Sequence, residues 1–265
     1  MQNLRYLKRS FMEISKIIQQ FEQFAPLSLS YDAQKNLGAY DNSGLILDVA
    51  KTTDCVVCAL DLTSEVVDYA NSVNAKLIIT HHPAIYRAVK NVGGTYVKAI
   101  QSGISVYSAH LNLDSAKDGI EDKLASFAGA SDSKILSYVS ETNGFGRIFS
   151  IPTQTAENVV NRLIGALATN KYMFFGDLSK PISTVATFCG AGLGESDIYK
   201  AKEADMLISA DVPHHVLLSA LEQGKCVMQL THYASEVFAM KEIVENLFNN
   251  QINLKCYFYT DKRFL

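Results

Sequence analysis

Apolar residues fall along this chain in short, strand-length bursts, separated by segments in which they recur every three or four positions. Two such series occur. In the first, residues 54–60 predict a strand, 64–73 a helix, 76–80 a strand, 96–101 a helix and 104–109 a strand. In the second, residues 183–189, 205–209 and 226–230 predict strands, with helices over 197–203 and 216–222. Alternation of this kind implies parallel βαβ units. Upstream, Ile14, Ile17, Ile18, Phe21 and Phe24 share a helical face, and Ser10 and Glu13 have the spacing of a capping box. Pro26 and the serine-rich stretch to Asp32 read as a connection. Residues 131–149, with Asn143-Gly144-Phe145-Gly146, read as a linker, and the alternating 254–260 as an edge or closing strand.

The two series share more than a period. In each, the second strand ends near a His-His pair (His81-His82, then His214-His215) and the third ends at a single histidine (His110, then His232). Two related α/β domains with mainly parallel strands are therefore expected. The first would cover 1–130, with 232–265 as a candidate completion, and the second 145–231. A length of 265 residues agrees, at roughly 150 residues per domain.

All six histidines sit at or just past the C-terminal ends of predicted strands, the edge of an α/β sheet where ligands bind. Two have a carboxylate four residues on: His110 with Asp114, and His232 with Glu236. If each pair opens a helical turn, both side chains face the same way. Neutral imidazole beside carboxylate suits Zn, Mn, Fe or Co, and no nearby cysteine points to a thiolate site. Adjacent residues at a strand end diverge, so His81-His82 can serve two ions from one loop. This is the donor supply of a dinuclear centre with ions roughly 3.5–4 Å apart. A lone His-x3-carboxylate is more often a surface pair, and the strand-end placement of the set is what favours metal. His214-His215 reads equally as support for a site or as a polar helix start, which Asp211 is placed to cap.

Composition narrows the rest. Hydrophobic residues make up 48% and charged residues 19%, with a formal charge of −3, which gives no electrostatic ground for a nucleic-acid binder. No apolar run approaches the ~20 residues of a membrane span. Five cysteines, an odd number, suit reduced thiols, and Cys55-Val56-Val57-Cys58 lies inside an apolar run without a second CxxC, as strand cysteines do. Arg5, Lys8 and Arg9 are followed by no apolar signal core, and Glu13 and Glu22 count against a transit peptide, so a cytoplasmic location is expected. Gly190-Ala191-Gly192-Leu193-Gly194 lacks the full dinucleotide spacing and reads first as a tight strand-to-helix turn, second as a phosphate cradle. Asp41-Asn42-Ser43-Gly44 reads as a turn whose polar side chains can reach a site.

Several stretches resemble the NIF-three-like family, many of whose members are described as homologues of GTP cyclohydrolase I type II. They are Tyr40-Asp41-Asn42-Ser43-Gly44-Leu45, Ala59-Leu60-Asp61-Leu62-Thr63, Ile78-Ile79-Thr80-His81-His82-Pro83 and His110-Leu111-Asn112-Leu113-Asp114. Cys189-Gly190-Ala191-Gly192, Asp211-Val212-Pro213-His214-His215 and His232-Tyr233-Ala234-Ser235-Glu236 follow in the family's order. The resemblance implies a two-ion site at the interface of the two α/β domains, with His81, His82, His110, Asp114, His232 and Glu236 as ligands. It also implies toroidal homohexamers, and it places Asp41, Asn42, Asp61, Asp211, His214 and His215 in supporting or substrate-contacting roles. Tyr40 stands where the family usually has Trp and Leu111 where it has Thr. Asp118-Gly119-Ile120-Glu121 replaces a Gly-Gly-Val-Asn-like stretch, and the first eleven residues precede the usual family start.

The function expected is that of a hydrolase using two divalent ions (Zn, Fe or Mn) on a nucleotide-like or phosphoester substrate. No residue stands out in the sequence as a separate general base. Two other classes compete: a metal chaperone, store or scaffold ring without catalysis, and an adaptor that binds other proteins.

Overall fold

The computed structural model describes residues 11–264, so Arg5, Lys8, Arg9 and Ser10 lie outside the described residues. The chain forms two compact units. The first gathers residues 11–24, Asn42–Ala109 and Val244–Tyr259, and the second Ala25–Asp41, His110–Ile243 and 260–264.

The first unit is built on a five-stranded sheet with the spatial order Lys255–Phe258, Cys55–Ala59, Leu77–Thr80, Ser105–Ser108, Gly44–Leu47. The first four strands are mutually parallel and the last is antiparallel. Its centre is the first predicted series, and Lys255–Phe258 is the expected edge strand. Val57, Ile78 and Val106 lie side by side across the three middle strands, all fully buried. Helix Ser64–Ser72 covers one face with Val66, Val67 and Ala70. Sheets buried on both faces need apolar residues at every position, which is why these strands appear as continuous runs rather than alternations. Cys55 and Cys58 are buried strand residues, as the apolar run predicted.

Helix Ile14–Phe24 presents Ile14, Ile17 and Phe21 to the core, as its period predicted. Its start differs from the capping-box expectation. Glu13 belongs to a short strand, Met12–Glu13, paired with Thr52–Thr53, and the Ile14 N–H donates to the Lys51 carbonyl at 2.9 Å. Backbone pairing meets the need that a capping side chain would otherwise serve.

The second unit carries a six-stranded sheet with the order Lys134–Tyr138, Gly144–Thr155, Pro181–Thr187, Met206–Ala210, Cys226–Leu230, Tyr172–Phe175. Its parallel centre, Pro181–Thr187 to Cys226–Leu230, is the second predicted series, and antiparallel strands flank it on both sides. Segment 131–149 is no linker. Lys134–Tyr138 and Gly144–Thr155 form a hairpin in this sheet, and residues 139–143 make its turn, closed by the Val139 N–H donating to the Asn143 carbonyl at 2.9 Å. Residues 26–32 are likewise more than a connection, because Ser28–Leu37 is a helix. No side chain caps its start, so the sequence carries no start signal there. Burial of Leu29 and Ala33 and the left-handed Gly38 at its end define it instead.

Among the described residues no helix is long and apolar enough to cross a membrane. Replacing Ile78, central in the first sheet, by alanine is expected to cost about 2–5 kcal/mol. Urea unfolding of the purified protein measures it.

Candidate metal centre

The histidines stand where the parallel strands end. In the first unit Leu77–Thr80 runs directly into His81-His82, whose backbone N–H groups donate to the Leu60 carbonyl at 3.1 and 2.9 Å. His81 is buried, and its Nδ1 donates to the Ala109 carbonyl at 2.8 Å. His82 Nδ1 donates to Asp61 Oδ1 at 2.7 Å. The two rings are tilted by 46° with centroids 5.0 Å apart, and a ring nitrogen of each lies within 4.8 Å of one on the other.

In the second unit both His-x3-carboxylate pairs occupy a helical turn. His110 precedes the short helix Leu111–Ser115, and the Asp114 N–H donates back to its carbonyl at 3.0 Å. His232 opens helix His232–Leu247 and sets its Nε2 3.3 Å from Glu236 Oε1. Both rings are again held at Nδ1: His110 by Asp41 at 2.8 Å, His232 by Asp211 at 2.6 Å. An acceptor at Nδ1 fixes the tautomer and leaves the lone pair on Nε2, as metal-binding histidines require. Asp211 reaches His232 from a left-handed backbone, φ +46°, which non-glycine residues rarely adopt. It does not cap the following helix, whose N-terminal cap is Pro213 without a side-chain bond.

Asp114 and Glu236 are 5% and 3% exposed and offer carboxylate oxygens within 4.8 Å of one another. Glu236 in turn adjoins His232 Nε2, so imidazole and carboxylate donors of the kind a metal ion takes stand side by side. Two like charges buried this close repel in a medium that screens poorly, and a cation between them removes that cost. The donor set therefore fits a divalent metal. Cys189 Sγ donates to Asp114 Oδ1 at 3.3 Å. Burial, then the charges of Asp114, Glu121 and Glu236, push its thiol well above the usual range, so it stays protonated as a donor. His110, Asp114, His232, Glu236, Cys189 and Glu121 line one cavity of about 420 Å³.

The glycine run is a turn, and its helix, Glu195–Lys200, is one of the shortest in the fold. Gly190 matters for closeness. Its N–H donates to the Ser235 hydroxyl oxygen at 3.0 Å, its φ is +50°, and a Cβ there would fall 2.3 Å from Glu236 Oε1 and 3.1 Å from His232 Nε2. His214 and His215 are exposed at the start of helix His214–Glu222 and do not line this cavity. Asn42 donates its amide to the Ile85 carbonyl at 2.6 Å.

With this geometry in hand, the comparisons agree on one family. The sequence profile of Duf34/NIF3 (NGG1p interacting factor 3) matches residues 12–263. The chain belongs to this family. A GTP cyclohydrolase 1 type 2 homolog of Methanocaldococcus jannaschii is 31% identical over 250 residues, 90% of this chain and 96% of the relative. One from Clostridium acetobutylicum is 29% identical over 236 residues, 85% of each chain. The solved structure of reduced HcgD from Methanocaldococcus jannaschii superposes with a TM-score of 0.79 at 29% identity, covering 94% of this chain and 98% of that one.

Cys189 and Glu121 of this NIF3-family cavity are among the lining residues that the sequence did not mark as site residues. Cys189 sits in the Cys-Gly-Ala-Gly stretch, whose motif hints at a site. Glu121, 1% exposed and next to the equally buried Arg147, falls in the Asp118-Gly119-Ile120-Glu121 stretch that departs from the family pattern, which is its one local signal. Burial raises the Glu121 carboxyl from 4.5 to about 7, against the lowering effects of the Arg147 charge and of the neighbouring Gly146 and Cys189 donors.

Gly190→Ala is expected to leave the fold intact and to lower bound metal severalfold, because the new methyl displaces Glu236 and His232; metal analysis against circular dichroism separates the two effects. The Glu121 shift predicts a pH effect on stability. The folded state keeps a proton that the unfolded chain releases above 4.5, so this contribution is complete below that value and fades as pH rises through about 7. Metal-free wild type should lose about 3 kcal/mol relative to Glu121→Gln across that range, read from urea midpoints.

Proposed function

We propose that this chain is a metal-dependent hydrolase holding about two divalent ions (Zn, Fe or Mn) and acting on a nucleotide-like or phosphoester substrate. Its ligands in this reading are His81, His82, His110, Asp114, His232 and Glu236. The observation that carries it is the tethering of all four imidazoles at Nδ1 by Ala109 O, Asp61, Asp41 and Asp211. Acceptors of this kind are the usual outer partners of metal-bound histidine. In it, Asp41, Asp61 and Asp211 orient ligands and Asn42 braces the turn; His214 and His215, exposed and away from the cavity, take no part.

Bound ions would acidify water and polarise a phosphoryl or carbonyl oxygen. The chain's own part is to hold and orient. Asp114 and Glu236 supply negative charge from a buried floor, the Cys189 thiol keeps one Asp114 oxygen in place, and the Gly190 backbone leaves Glu236 no room to swing. The names of the relatives, GTP cyclohydrolase 1 type 2 homologs, support a nucleotide-like substrate. We further place the protein in the cytoplasm as a ring-shaped homohexamer. Reduced thiols support the first and the family resemblance the second.

An adaptor role is the second reading, favoured by the family's description as an NGG1p interacting factor. The experiment is metal content by mass spectrometry on wild type and Glu236→Ala, followed by a panel of nucleotides and activated phosphoesters. About two ions per chain, fewer in the mutant, with turnover lost in Asp114→Ala, is the expected result. Metal-loaded protein that turns over nothing on the panel while exchanging its ions readily rejects hydrolysis in favour of a metal chaperone. Light scattering should return about six times the chain mass of 29.2 kDa.

A further inference from the structure

We infer that Glu121 is the proton-transfer residue of this cavity, giving a proton to the leaving oxygen of a bound phosphoester. The inference rests on the hydrolase reading. Glu121 is 1% exposed yet lines the cavity shared by Asp114 and Glu236. One of its oxygens, Oε1, accepts the Gly146 N–H at 3.0 Å. The other, Oε2, is buried and has no hydrogen-bond partner among the described residues. A buried carboxyl oxygen left in that state costs stability unless something in the cavity engages it.

The fold spends structure on placing this group. Helix Ile120–Ala128 starts so close to the turn of Leu111–Ser115 that a Cβ on Gly119 would sit 2.3 Å from the Leu113 carbonyl. That approach sets Glu121 near the element that carries Asp114. From the strand Gly144–Thr155, Arg147 faces it, with Nη1 bound to the Gly144 and Gly146 carbonyls at 2.8 and 3.1 Å and Nε paired with Asp122. From the turn after Pro181–Thr187, Cys189 faces it and separates it from Asp114. Glu121 thus lies beside the proposed ligands without being one of them.

With its carboxyl at about 7, both forms are populated near neutral pH, the condition for giving and regaining a proton in one cycle. The step balances. A water oxygen forms the new bond to phosphorus and the ester P–O bond breaks, its electron pair staying with the leaving oxygen. That oxygen takes the Glu121 proton, and one proton of the attacking water restores the carboxyl while the other remains on the phosphate.

The test uses full-length, metal-loaded protein with phenyl phosphate, a poor leaving group, and p-nitrophenyl phosphate, whose leaving phenolate needs no proton. Glu121→Gln should lower kcat on phenyl phosphate by about 100-fold or more, and on p-nitrophenyl phosphate far less. Glu121→Asp should restore part of the loss, and metal content should stay at the wild-type level in both variants. Independently of turnover, the infrared pH-difference spectrum of metal-free wild type should show a protonated-carboxyl band titrating near neutral pH, absent from Glu121→Gln. Equal effects on both esters, loss of metal in Glu121→Gln, or no such band would overturn the assignment and leave the hydrolase reading standing. A metal-loaded wild type inert on these esters and on the wider panel would remove both.

Discussion

A hydrogen bond at Nδ1 is the constraint on which each of the candidate histidines depends. An imidazole on a single Cβ can spin, flip and change tautomer, and each freedom weakens it as a ligand. In His81, His82, His110 and His232 all three are removed by one contact to a fixed acceptor. Three of those acceptors are carboxylates, for which such a bond is worth about 1.5–3 kcal/mol. Asp211 shows what the fold accepts to keep one: a left-handed backbone at φ +46° that places its carboxylate on His232. Strain of this kind, of order 1 kcal/mol or more, persists only where surrounding structure enforces it.

The same economy appears in the carboxylates. Asp114 and Glu236 are buried close together, an arrangement that the bare protein disfavours and a cation relieves. Around them the protein leaves little slack. The Cys189 thiol, held protonated by its surroundings, donates to Asp114, and the backbone of Gly190 passes so near Glu236 and His232 that no side chain fits. Rigid support of this kind separates a preorganised centre from an acidic surface patch. Glu121 extends the logic, since burial without a partner for one oxygen leaves it suited to proton exchange rather than to charge pairing.

Placement of these groups follows from strand geometry. Parallel strands deliver their C-terminal ends to one edge of a sheet, and each of the two sheets has a three-strand parallel centre. Thr80 leads into His81, Ser108 into Ala109 and His110, and Leu230 into Thr231 and His232. The helical turn that follows His110 and His232 then brings the residue four positions on to the same side, which is how Asp114 and Glu236 join their histidines.

What the sequence determined by itself is periodic or local. Continuous apolar runs marked the central strands because both faces of a parallel strand are buried, and the His-x3-carboxylate spacing marked two turns because helical geometry is fixed by the backbone. Tertiary structure decided whatever depended on partners distant in the chain. Ser28–Leu37 is helical because Leu29 and Ala33 find a core, with no cap to announce it. Residues 134–155 became a sheet hairpin, although Asn143-Gly144-Phe145-Gly146 read as a linker, because the third strand of that sheet lies 26 residues or more downstream. Glu121 and Cys189 have no spacing that sets them apart. Only its own burial, against the opposing charge of Arg147, gives that glutamate its character, since desolvation is a property of surroundings that no local pattern records.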